Sequence, residues 1–161
     1  MILTTTQLQT IKAAILSDPV LVAQPMDGNG NGFIADAFNA PASPVFTVWK
    51  TRVQIDEIGD NFVATDLAGL STLNSTRLQT IVAFSSVGVN PSLADRRAFF
   101  DDIFSGAGGV ATRARLLILW KRLATRIEKL LAVGTGSSAV PAILTVEGEI
   151  TSLQIDQARH S

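Results

Sequence analysis

Leu116, Trp120, Leu123, Ile127 and Leu130 follow one another at intervals of three or four residues, and no other stretch constrains the folding of this chain as tightly. The spacing is that of a single helix face, which Leu117, Ala124 and Leu131 widen. It predicts one long helix over Thr112–Val133, closed by Gly134. An advance of about 100° per residue sets Arg115, Arg122, Arg126 and Lys129 on the opposite side. Ile118 and Leu119 fall among those cations and not among the core residues. Two covers for that apolar pair stay open at this point. One is another segment of the same chain; the other is a second subunit, with the arginines pairing carboxylates across the boundary.

Weaker periodicities place the remaining elements. Leu8, Ile11, Ile15 and Leu16 predict a first helix from Thr5 to Ser17, capped by Thr4–Thr6 and ended by Pro19. Short helices are expected over Phe33–Asn39, Val53–Ile58 and Asp66–Leu73. Longer ones are expected from Asn74 or Ser75 to Ala83 or Phe84, and over Leu93–Phe104. Val45–Trp49 is too short to assign by periodicity, Val140–Val146 reads as extended, and Ser152 caps a last helix to Ala158. The whole reads as a mostly α chain: a single-domain helical bundle of five to seven helices over residues 1–161, with one long helix in its C-terminal half. The extended Gly/Ser-rich loops at 106–111 and 134–151 are expected to act as docking arms.

Composition narrows the function classes. An apolar fraction of 47% against 17% charged residues excludes a disordered tail. With no cysteine there is no disulfide framework, thiolate nucleophile or Cys-based zinc site. The N-terminus lacks the basic start and cleavage-like end of a signal peptide. The longest uncharged run, Leu130–Val146, is too short and too broken by Gly and Pro to span a bilayer. Between Asp102 and Glu128 stand Arg113, Arg115, Lys121, Arg122 and Arg126 with no acid among them, a stripe too modest for a dedicated nucleic-acid binder.

Catalytic constellations are missing. His160, the sole histidine, is one residue from the end, where chains fray. The pairs Asp56/Glu57 and Asp101/Asp102 are sequence neighbours, so on a helix each pair diverges by about 100° and shares neither a proton nor a metal. The segment from Asp27 to Ile34 resembles the front of a calcium loop, with oxygen ligands on Asp27, Asn29 and Asn31 and Gly32 at the sixth position. Phe38 stands where the bidentate acid belongs, so a Gly/Asn turn capping the next helix is the simpler reading. A small calcium-dependent module remains the alternative from another class. No enzyme and no cofactor are expected.

One ordered set of short motifs has a family counterpart. It comprises Val48-Trp49-Lys50-Thr51, Val53 and Glu57-Ile58; then Arg96-Arg97 and Ile103-Phe104; then Lys121-Arg122-Leu-Ala-Thr125-Arg126-Ile-Glu128, Gly134-Thr-Gly136, Pro141-Ala142 and Glu147-Gly148. The order resembles a family of small virion structural proteins of tailed bacteriophages, associated with the head-to-tail neck. The likeness runs from about Val45 to Ala158. It departs from the family at Lys50, where an Arg is usual, and at Asn61-Phe62, where the family carries a Trp. The resemblance implies an oligomeric ring, made in the host cytoplasm and built into the virion neck as a connector or adaptor. Its partners would be copies of itself, the portal on one side and tail-proximal neck or tail proteins on the other, with no membrane. A tail terminator or capsid-associated protein is the alternative within the virion. On this reading Arg113, Arg115, Ile118, Leu119, Arg122 and Arg126 are the candidates for an interface, or for non-specific contact with passing DNA.

Overall fold

The computed structural model describes residues 2–84 and 88–161. The chain is mostly helical. Among the described residues there are ten α-helices, one 3-10 turn and a two-stranded sheet. No helix among them is long and apolar enough to cross a membrane. The chain divides into two compact units, one of Met1–Val48 with Leu123–Ser161 and the other of Trp49–Arg122. The crossings fall inside β1 (Thr47–Trp49) and β2 (Lys121–Leu123), which pair as the sheet.

In the first unit, α1 (Thr5–Ser17) starts where the sequence places it. The Thr4 hydroxyl accepts the Gln7 N–H while the Gln7 side chain accepts the Thr4 N–H, satisfying two donors the helix leaves over. Asp18 then caps α2 (Pro19–Val22), accepting the N–H groups of Val20 and Leu21 at 3.0 and 3.2 Å. Ile11, Ile15, Phe38, Ile127, Ile150 and Ile155 are the heart of this unit's core.

The third helix overturns an expectation. The Gly/Asn run is not a turn before a helix at Phe33; α3 covers Gly28–Asn39 and includes it. Each glycine costs about 1 kcal/mol against alanine inside a helix, so local propensity argues for a loop. Packing reverses that. Asp27 accepts the Gly30 N–H at 2.8 Å as the N-cap. A Cβ on Gly30 would lie 2.1 Å from the Pro25 carbonyl oxygen, so only glycine lets that strand of chain lie on the helix. Asn31 is buried and held by Asp156 and Arg159, both on α10 (Ser152–His160), whose cap is Thr151 and not Ser152.

The expected helix over Thr112–Val133 is three elements. Helix α8 (Val110–Leu119) stops at Trp120, β2 follows, and α9 (Arg126–Leu131) begins anew. The new start is written in Thr125-Arg-Ile-Glu128, a capping box. The Thr125 hydroxyl accepts the Glu128 N–H at 3.3 Å, and the Glu128 carboxylate accepts the Thr125 N–H at 3.0 Å. Glu128 is buried and also accepts the Gly148 N–H. Leu123, assigned to the core by spacing, is 61% exposed. The three-and-four spacing therefore runs from Leu116 and Trp120, at the C-terminal end of α8, into Ile127 of α9, a separate element with its own core.

The segment after Gly134 is held to the first unit along its length. Thr47 donates to the Gly136 carbonyl at 2.7 Å, Val133 and Ile143 exchange backbone hydrogen bonds, and Asn39 bonds both backbone groups of Ile150 through its carboxamide. Gly136 is buried against the Phe46 ring at φ +65°.

The second unit holds α4 (Ile55–Asp60), α5 (Ala64–Ala68), α6 (Thr72–Phe84), α7 (Ala94–Ile103), the 3-10 turn Ala107–Gly109 and α8. Trp49, Ile58, Phe100, Phe104, Leu116 and Trp120 pack at its centre, Phe100 meeting Trp120 edge to face at 5.5 Å. Arg97 covers the Trp49 ring at 4.1 Å while donating to the Ser92 carbonyl; burial lowers its pKa, opposed by the Asp101 charge.

Candidate subunit interface

Helix α8 is anchored through its N-terminal turn. Its start is set by Gly109, where a Cβ would come within 2.0 Å of the Phe104 carbonyl oxygen. Thr112 is fully buried there: its hydroxyl accepts the Val63 N–H at 3.0 Å, and its own N–H donates to the buried Asp66 carboxylate at 2.7 Å. These bonds tie α8 to α5 and fix its rotation. Thr112 and Leu116 are thereby turned inward, with Leu119 half-buried beside them.

The opposite side of α8 follows from the helical period. Val110, Ala111, Ala114, Leu117 and Ile118 fall within one arc of about 120°, and all five are exposed. Val110 is 54%, Leu117 45% and Ile118 75% accessible. A helix apolar on every side belongs in an interior; this one is covered on one side only. Fully burying a Val, Leu or Ile is worth about 1.5–3 kcal/mol. Scaled by their exposures, covering these three contributes about 3–5 kcal/mol. Association costs about 4–15 kcal/mol in lost freedom, so this face alone does not hold two molecules together. Association through it would need further contact beyond these three side chains.

The six interface candidates separate. Ile118 is exposed as expected, whereas Leu119 packs in part against its own unit's core. Arg115 is exposed, and no hydrogen bond or ion pair engages it among the described residues. Arg113 is half-buried and donates to the Phe104 carbonyl. Arg122 is half-buried in β2. Arg126 belongs to the first unit, bonding Asp18 at 2.8 Å and lying 5.1 Å from the Phe38 ring. That guanidinium, followed by the Leu21 N–H, holds the Asp18 carboxyl below its ordinary value. The sequence also carries a signal for this face in the Val110-Ala-x-x-Ala114-x-x-Leu117-Ile118 repeat, a second apolar seam laid beside the first.

The remaining candidates have structural places. Asp27 caps α3, Asn29 is exposed on its first turn and Asn31 is buried on its inner side, so the three do not converge as loop ligands do. Among the described residues no group of three His, Asp or Glu is placed to hold a metal ion. His160 is exposed at the end of α10, its Nδ1 2.8 Å from the Asp156 carbonyl. Asp102 pairs with Arg77 at 2.7 Å, while Asp56 and Glu57 are exposed in the first turn of α4.

Comparison of the chain with protein-family models, with curated proteins and with solved structures finds no match.

Proposed function

We propose that this protein is a structural subunit of a tailed-phage virion. It assembles with copies of itself as a ring in the head-to-tail neck, between the portal and the tail-proximal proteins. The observation that carries the reading is the uncovered outer face of α8, where Val110, Leu117 and Ile118 stand exposed beside the unengaged Arg115. Such a face is the mark of a surface meant for another protein. The order of short motifs from Val48-Trp49 to Glu147-Gly148 supports the placement in a neck. The modest free energy of the α8 face suits a subunit that assembles by closing a ring or on a portal. Contact with DNA passing through such a ring is a subsidiary role, sequence-independent and confined to the cations left at the surface.

Electron microscopy of purified particles carrying a labelled copy of the chain tests the reading. The label should appear at the junction of head and tail, and Ile118→Asp should reduce its incorporation at least tenfold while the purified variant stays folded. A label on the capsid shell or at the tail end would replace the neck by another virion position. Absence of the protein from particles would end the virion reading altogether.

A further inference from the structure

The α8 face says something about what covers it. Its centre is shallow, because Ala111 and Ala114 lie between the larger Val110, Leu117 and Ile118. Among the described residues, Arg115 is the one charge on this face without a partner. A two-fold pairing of α8 with α8 about Ala114 sets Arg115 opposite Arg113 of the copy, since the two positions are equidistant from the centre. No carboxylate lies on α8 to separate them. Like charges across a contact oppose it, so the cover is a different surface, one that brings an anion and a projecting apolar group.

The outer side of α3 has both. Phe33 is 48% exposed and is the one aromatic among the exposed large apolar residues described. Asp36 follows one turn later on the same side, exposed, with no side-chain partner among the described residues. Gly32 beside them is open, with nothing within 4 Å of where its Cβ would be, so another helix can approach the backbone closely. Among the other exposed acids, Asp95 has only the aliphatic Leu93 beside it and no exposed aromatic to project. Asp156 already serves Asn31 and His160, and Asp56, Glu57 and Asp60 stand on α4, which exposes no large apolar side chain.

Taking self-assembly from the preceding reading, we propose that the α8 face of one copy is covered by the α3 face of a second copy. Phe33 seats in the hollow at Ala111 and Ala114, and Asp36 meets Arg115. The contact joins two different surfaces, so each copy has one of each left to offer, and the association is head to tail as a ring requires.

The absence of cysteine makes the test direct. Ala114→Cys and Gly32→Cys are made in separate full-length chains, mixed in equal amounts at up to millimolar concentration and oxidised. The mixed disulfide should exceed either homodimer at least tenfold. Arg115→Glu in the first chain should abolish that excess, and Asp36→Arg in the second should restore it. Sedimentation of the same samples separates the failures. If the chains associate but the mixed disulfide shows no excess, or Ala114→Cys homodimers dominate, the α8–α3 contact is overturned and self-assembly stands. If neither association nor cross-link appears at millimolar concentration, the α8–α3 contact is overturned, and the place of the label in purified particles decides whether copies assemble on a portal.

Discussion

Replacing Thr125 by alanine gives opposite results for a continuous helix and for the broken one. In an uninterrupted helix over Thr112–Val133, alanine has the higher propensity and Thr125→Ala stabilises the protein by about 0.5 kcal/mol. In the structure Thr125 is the N-cap of α9, its hydroxyl accepting the Glu128 N–H, and its loss costs about 0.5–2 kcal/mol. Glu128 raises the contrast, because its carboxylate accepts the N–H groups of Thr125 and Gly148 from a site only 2% exposed. Leaving a buried donor unpaired costs about 1–3 kcal/mol. Glu128→Ala strands the half-buried Thr125 N–H, whereas the Gly148 N–H lies on an exposed residue that water reaches, so the substitution should cost about 1–3 kcal/mol. Glu128→Gln keeps one good acceptor and should fall between Glu128→Ala and the parent. Because both partners belong to one capping box, the double variant should cost less than the sum of the singles. Urea unfolding followed by circular dichroism measures all four. A stabilising Thr125→Ala, or a Glu128→Ala change under about 0.5 kcal/mol, refutes the break at Trp120–Thr125 and restores the single helix.

Four further outcomes follow from named contacts. Asp18 has its folded pKa depressed below 3.8, first by Arg126 and then by the Leu21 N–H, so its stabilisation is present above the unfolded pKa and lost as pH falls through the folded one. Acid titration of stability should therefore be shallower below about pH 4 in Asp18→Asn than in the parent. Gly136→Ala forces a left-handed residue and sets a Cβ 2.1 Å from the Phe46 ring; it should lower stability by at least about 1–2 kcal/mol, read by thermal unfolding. Asp27→Ala removes the α3 cap and should cost about 1 kcal/mol equally with and without calcium, checked by calorimetry in both. Four arginines gripping phosphates would give a log–log salt slope near −3.6, about 0.9 for each. With Arg113 and Arg126 engaged in the fold, fluorescence anisotropy on duplex DNA should give a slope no steeper than about −2.

What the sequence revealed follows from where local signals and packing agree. Helix α1 was legible to the residue because its capping box, its apolar spacing and Pro19 all say the same thing. Helical content was legible for the same reason, although the short elements divide, among the described residues, into ten helices and not five to seven. At Gly28–Gly32 composition and packing disagree: propensity favours a loop, and the close approach of Pro25 over Gly30 is invisible without the fold. At Thr125 the signal was in plain view. A Thr-x-x-Glu box inside an apolar repeat reads as a helix start, whereas the repeat alone reads as one stripe through Leu116, Leu123 and Ile127, residues that the fold divides among α8, β2 and α9. The exposed Ile118 was legible from the helical period, whereas the half-cover of Leu119 depends on the rotation that Thr112 and Asp66 impose on α8.

The break at Trp120 also changes what the basic stripe means. On one helix, Arg115, Arg122 and Arg126 form a continuous cationic face suited to a polyanion or to an acidic partner surface. In the folded chain they lie on α8, β2 and α9, so sequence proximity no longer makes them neighbours on a face. Arg126 neutralises Asp18 and covers Phe38; Lys121 lies 5.5 Å from the Trp49 ring; Arg113 satisfies the carbonyl of Phe104 at the end of α7. A guanidinium held by a carbonyl or a carboxylate inside a fold releases few counterions on meeting DNA, because its charge is already balanced or its donors already directed. The apolar surface changes in the opposite sense. Ending the helix at Leu119 removes the downstream turns that an uninterrupted helix would supply, and the Asp66–Thr112 bond turns Val110, Ala114, Leu117 and Ile118 outward together. One local event, the stop before β2, thus assigns the charges to separate elements and leaves the exposed apolar arc to α8.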